Sequence, residues 1–169
     1  MLYNLLSKLD KTISINRVSA HCDVPCGIYD PMVAQIAALT VIRETDQLME
    51  LYAKDEKSLN DEANFSRMIT VKEEHCNKVK EEIRIIWGDF IKQPQLDAYP
   101  QLHTLVHEIM LAGSAAKQHV DKDASLKLLD KVNEFAEIFW AIKGVKTYRA
   151  NAPYAPAAEV VYPDLKAEL

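Results

Sequence analysis

Apolar positions recur at three- and four-residue spacings through four successive stretches of this chain. Ala34, Ala37, Val41, Thr45, Leu48 and Tyr52 fall on one face of a helix predicted from Pro31 to about Lys54. Asp30-Pro31 ahead of it reads as an N-cap followed by proline at the first helical position. Beyond a polar loop around Ser58 to Asn64, the pattern resumes in Cys76, Val79, Ile83, Ile86 and Phe90 and runs up to Pro94. Pro100 opens a third stripe, Leu102, Leu105, Val106, Ile109, Gly113 and Ala116, which stops before the charged break Asp121-Lys122-Asp123. Leu129, Val132, Ala136, Phe139 and Ile142 make the fourth, with Gly144 where a C-terminal cap belongs. Helices of about twenty residues with short connections pack antiparallel, so the pattern predicts an all-α, up-and-down four-helix bundle over residues 31–144.

The two ends of the chain differ from this middle. In residues 145–169, Pro153, Pro156 and Pro163 alternate with Tyr148, Tyr154 and Tyr162, which predicts an extended C-terminal tail lying on a surface such as a neighbouring subunit's. In residues 1–20, Val18-Ser19-Ala20 has the small side chains found before a signal-peptidase cut. A secretory signal also needs an unbroken apolar run, and Lys8, Asp10 and Lys11 interrupt the one that ends at Leu6. The segment therefore reads as a leader removed in the cytoplasm; the plainer alternative is a frayed helix that stays attached.

Composition narrows the function. The net charge of −5 is spread along the chain without a basic stripe, so the electrostatic footprint of a nucleic-acid binder is missing. No run of about 18 apolar residues is present to span a bilayer. With 169 residues the chain can bury a core without disulfide staples, and its odd set of cysteines, Cys22, Cys26 and Cys76, gives no disulfide framework.

Chemistry concentrates in residues 21–30, a loop in which His21, Cys22 and Cys26 crowd together with Pro25 and Gly27. A closed zinc site takes about four side-chain ligands, usually from two separated pairs, and this segment offers three. If the peptide bond before His21 is cut, that residue gains a free α-amine, and the Cys22 amide nitrogen then completes a small chelate ring with it. Amine, amide and the two thiolates of Cys22 and Cys26 form a flat N₂S₂ set, a geometry that suits nickel(II) or copper(II).

The run HCDVPCGIYDP at 21–31 closely resembles the N-terminal hook of nickel superoxide dismutases, whose mature chains begin at the matching His. Trp87-Gly88-Asp89, Tyr99-Pro100-Gln101-Leu102-His103, Ser114-Ala115-Ala116-Lys117 and Ile138-Phe139-Trp140 resemble further segments of that family in the same order. The resemblance covers roughly residues 20–143. It implies an antioxidant enzyme that disproportionates superoxide to O₂ and H₂O₂ by Ni(II)/Ni(III) cycling, with one nickel ion per subunit. His21 would give its α-amine and, in the oxidised state, its axial imidazole. Cys22 would give amide nitrogen and sulfur, and Cys26 sulfur. Tyr29 would stand at the open face of the metal, while Asp23 and Pro25 would shape the hook. The family also implies a homohexamer of bundles and a maturation peptidase that cuts between Ala20 and His21. Where its typical members carry a Glu–Arg pair behind the axial imidazole, this chain has Ala37 and His75, and Phe90 stands where they have a second tyrosine. His75 is the candidate to support the imidazole of His21 directly or through water.

Other residues take structural readings. Cys76 lies on a core stripe, His103 and His107 read as solvated side chains, and Trp87, Phe139 and Trp140 as core or subunit contacts. Two other functions use the same hook. A copper or nickel carrier would bind metal without turnover, and a helical interaction protein would use the two cysteines as a redox switch.

Overall fold

The computed structural model describes residues 27–166. Within them four long helices run up and down: α1 Met32–Tyr52, α2 Leu59–Ile85, α4 Leu102–Gln118 and α5 Lys122–Ile142. A π-helical turn, Ile86–Phe90, extends α2, and a short helix α3, Gln93–Ala98, leads into α4. Helix α1 packs on α2 and α5, and α4 packs on the same two, which closes the bundle around one core. The apolar stripes supply that core. Ala34, Ala37, Val41, Thr45 and Leu48 are buried, as are Cys76, Val79, Ile83 and Ile86, every member of the third stripe, and Leu129, Val132, Ala136 and Phe139. Each buried Leu, Ile or Phe contributes about 1.5–3 kcal/mol relative to exposure. Tyr52 ends the first stripe 75% exposed, because α1 is by then passing the end of the bundle. No described helix is long and apolar enough to cross a membrane.

The helix ends follow from local chemistry. The Asp30 carboxylate accepts from the Met32 amide at 2.7 Å, so Asp30 caps α1 with Pro31 in its first turn. Helix α2 starts at Leu59, inside the stretch around Ser58 to Asn64 that the apolar pattern leaves as a loop. The cause is a capping box: the Ser58 hydroxyl accepts from the Asp61 amide while the Asp61 carboxylate accepts from the Ser58 amide. Asp121 caps α5 through the amides of Asp123 and Ala124. At its other end Gly144, with φ +73°, closes a Schellman turn in which Val145 donates to the Trp140 carbonyl and Gly144 to that of Ala141.

Residues 145–166 do lie on a surface, but on that of their own bundle, and they fold as a hairpin. Strands β1, Thr147–Asn151, and β2, Glu159–Pro163, pair antiparallel with Thr147 opposite Pro163 and Asn151 opposite Glu159. Val160, Val161 and Ala152 are buried against the helices. Two buried polar side chains dock the hairpin. Asn133 of α5 accepts from the Val161 amide and donates to the Glu159 carbonyl, while Gln35 of α1 donates to Asn133 and to the Val161 carbonyl. Arg149 adds ion pairs to Glu137 and Glu159.

One buried cation is unannounced by the apolar pattern. Lys72 of α2, only 1% exposed, donates its ammonium to the carbonyls of Ala116, Lys117 and His119 at 2.5, 3.0 and 2.9 Å. These are unpaired carbonyls at the negative end of α4, so the lysine caps that helix from across the bundle.

Candidate metal centre

His21, Cys22, Asp23, Pro25 and Cys26 lie outside the described residues. Among the described residues no group of three His, Cys, Asp or Glu side chains comes together to hold a metal. Outside the described residues, the segment ahead of Gly27 carries an imidazole and two thiols as side-chain donors. That set of nitrogen and soft sulfur fits nickel(II).

What the structure describes is the seat that follows this segment, residues 27–30 and the side chains they pack on. Gly27 has φ +71°, a left-handed conformation that turns the chain immediately after Cys26; the demand is on the backbone, since a Cβ there would meet open space. Ile28 is 84% exposed. Tyr29 packs its half-buried ring on Phe90 at 5.6 Å and 43°, and Asp30 is held by its cap on α1. Phe90 in turn lies 5.2 Å from Phe139, which meets Trp140 edge-on at 5.1 Å. Tyr29, two residues after Gly27, is thus anchored in an aromatic stack.

The π turn builds that stack. The Ile91 amide reaches back five residues to the Ile86 carbonyl at 3.2 Å, and this widened turn carries Phe90 against Tyr29. On the same turn the Trp87 indole donates to Nδ1 of His103 at 3.1 Å, with the two rings edge-on at 5.5 Å. His103 is therefore more than a solvated side chain: as the acceptor it ties the π turn to α4. His107 is exposed, as its reading implied.

His75 is partly buried on α2. Its Nδ1 pairs with the Val71 carbonyl one turn back at 2.8 Å, which leaves Nε2 as the nitrogen available for another partner. It faces Glu44 of α1, whose carboxyl is raised by burial against the opposing pull of the His75 and Arg43 charges. Ala37, at 1% exposure, is part of the core. Cys76 is fully buried, and burial pushes its thiol up to about 11, the state of a packing residue.

One residue of the seat escaped the sequence pattern. Lys143, the C-cap of α5, sets its ammonium over the Phe90 ring at 4.5 Å and over Phe139 at 5.9 Å. Nothing in the spacing of residues 139–144 signals that contact, because Phe90 belongs to another helix.

Comparison with known proteins matches residues 16–143 to the nickel-containing superoxide dismutase family. The chain is 38% identical over 128 residues to superoxide dismutase [Ni] of Streptomyces seoulensis, a match covering 75% of this chain and 91% of that protein. It is 36% identical over 127 residues to superoxide dismutase [Ni] of Streptomyces coelicolor, covering 75% and 90%. The fold aligns with the native structure of nickel superoxide dismutase at TM-score 0.64 and 33% identity, covering 73% of this chain and 99% of that one. A nickel-containing superoxide dismutase whose ligation corresponds to the oxidised state aligns at TM-score 0.63 and 36% identity, again over 73% and 99%. The family match ends at Lys143, so the hairpin of residues 147–163 lies beyond it.

Proposed function

Since the chain belongs to the nickel-containing superoxide dismutase family, and so is a superoxide dismutase and an oxidoreductase, we propose that it works through nickel held by His21, Cys22 and Cys26 once residues 1–20 have been removed. The observation that carries this reading is that the matched region includes the whole segment from His21 to Tyr29, while the described residues offer no rival metal cluster. Bound there, nickel would supply a Ni(II)/Ni(III) couple able to oxidise one superoxide to O₂ and to reduce another, with uptake of two protons, to H₂O₂.

The chain's own residues set that couple up. The α-amine and imidazole of His21, the amide nitrogen and thiolate of Cys22 and the thiolate of Cys26 are strong donors that favour the higher oxidation state. Asp23 and Pro25 shape the turn between the two cysteines. Gly27 reverses the backbone, and Tyr29, fixed on Phe90, forms a wall of the approach and admits small anions and water. His75 supports the His21 imidazole through its free Nε2, in place of the Glu–Arg pair. Removal of residues 1–20 by a peptidase acting in the cytoplasm, one nickel ion per subunit and assembly as a homohexamer complete the proposal. The exposed Ile28 beside the loop is a side chain that a neighbouring subunit would cover.

The test uses protein beginning at His21 and loaded with nickel. It should disproportionate superoxide, and Cys22→Ser and Cys26→Ser should each abolish both nickel retention and turnover. Tight nickel binding without turnover would instead make the chain a metal carrier.

A further inference from the structure

We infer that the leader docks on its own bundle before it is removed, with the apolar stripe of residues 2–13 seated in a groove at the end of the molecule opposite Gly27. The inference rests on the reading of residues 1–20 as a leader and goes beyond it by assigning that leader a binding site.

Two adjoining hollows of about 480 and 520 Å³ make the groove, and they share the rings of Tyr52 and Phe65. Leu48, Met49 and Val120 also line the first, so it is bounded by the end of α1, the start of α2 and the α4–α5 connection. Its apolar surface is uncovered: Tyr52 is 75% exposed, Met49 49% and Val120 46%. An uncovered apolar patch with a polar rim marks an interaction site. Here the rim is acidic, since residues 50–62 hold five carboxylates against two lysines. Lys54 pairs with Asp61, while Glu50, Asp55, Glu56 and Glu62 form no ion pair among the described residues.

The leader has the matching pattern, charge and reach. Leu2, Leu5, Leu6, Leu9 and Ile13 recur at helical spacing, the pattern of a segment that lays one apolar face into a groove. Lys8, Lys11 and Arg17 against Asp10 make residues 1–20 basic, opposite in sign to the rim. Residues 1–26 lie outside the described residues. The span from Ile13 to Gly27 can extend to about 45 Å, whereas the 21 residues of α1, which separate Gly27 from the groove, measure about 30 Å. Tethering also raises the local concentration of the leader to the order of millimolar, so weak contacts suffice to seat it.

Docking has a consequence for maturation. With the leader seated at one end of the bundle and Tyr29 packed on Phe90 at the other, the bond between Ala20 and His21 lies in the span between two anchors, where a peptidase can take it. The cut removes the tether, so the leader leaves and the groove is freed.

The experiment uses metal-free protein throughout: the full chain made without the peptidase, the chain beginning at His21, and full chains carrying Leu5→Ser with Leu9→Ser, Tyr52→Asp, or Leu111→Asp. Leu111 of α4, 57% exposed, controls for adding charge at an exposed apolar position elsewhere. Methyl NMR signals of Met49 and Val120 read the groove, and initial rates of tryptic cleavage after Lys8 and Lys11 read the leader.

The methyl signals of the full chain should differ from those of the chain beginning at His21 at every protein concentration, and the Leu5→Ser, Leu9→Ser chain should return them to the shorter chain's positions. Cleavage after Lys8 and Lys11 should be about five- to tenfold slower in the full chain than in that variant. Tyr52→Asp should lose this protection and Leu111→Asp should keep it. Identical methyl signals in the full and shortened chains, or equal cleavage rates with and without the two leucines, would overturn the docking. Protection that survives Tyr52→Asp, or falls equally in Leu111→Asp, would overturn the groove as its seat. A methyl difference that fades on dilution would overturn docking within one chain in favour of a second copy's leader. Nickel has no part in these readouts, so failure of the chain beginning at His21 to hold nickel through Cys22 and Cys26 would overturn the nickel-site reading separately.

Discussion

Phe90 and Phe139 link the seat of the loop to the core of the bundle, and their substitution separates local anchoring from global stability. Phe139 is buried at the centre of the stack, so Phe139→Ala should cost about 3–5 kcal/mol in denaturant unfolding. Phe90 is only half-buried, so Phe90→Ala should cost less and should instead free the Tyr29 ring. NMR signals of Tyr29 that stay put in Phe90→Ala would contradict the anchoring role. The cysteines divide in the same way. With its thiol held up at about 11 and no exposed surface, Cys76 should resist iodoacetamide in folded protein at neutral pH. Cys22 and Cys26 should be alkylated in metal-free mature protein and protected by nickel, which peptide mass mapping would read directly. The candidate ligands were legible in the sequence because one short segment carries them all. Lys143 and the Trp87–His103 pair were not, since each acquires its meaning from a partner on another element.

Among the elements, helix ends are the most instructive. The apolar stripe of α2 begins late, and the helix reaches back to Leu59 only because Ser58 and Asp61 satisfy its first amides. Lys54 and the Ser58 amide hold the Asp61 carboxyl well below the usual carboxylate range. A carboxyl depressed in the folded state contributes stability above its ordinary pKa of about 4 and loses it as pH falls toward the folded value. The start of α2 should therefore loosen on acidification below about pH 4, and Ser58→Ala should cost about 1 kcal/mol at neutral pH. Amide exchange across residues 59–62 would report both; unaltered protection at low pH would remove the capping box as the cause. The four long helices were legible because each buries a stripe at a period of 3.6 residues. The hairpin was not, since its strands are five residues each and the side chains that dock it, Gln35 and Asn133, resemble ordinary polar positions on a helix.

At the scale of the whole molecule, the bundle and its seat fall within the family match while the hairpin is an addition that the core now depends on. Truncation after Gly144 would strip the cover supplied by Ala152, Val160 and Val161 and leave Gln35 and Asn133 without the backbone groups they bind. Unpaired buried polar groups cost about 1–3 kcal/mol each, so the truncated protein should melt well below the full chain. The account as a whole depends on a terminal nitrogen that exists only after cleavage at Ala20. Native mass spectrometry of the fraction that disproportionates superoxide tests this most directly. The account predicts chains that begin at His21 and carry nickel; active enzyme with residues 1–20 still attached would contradict it.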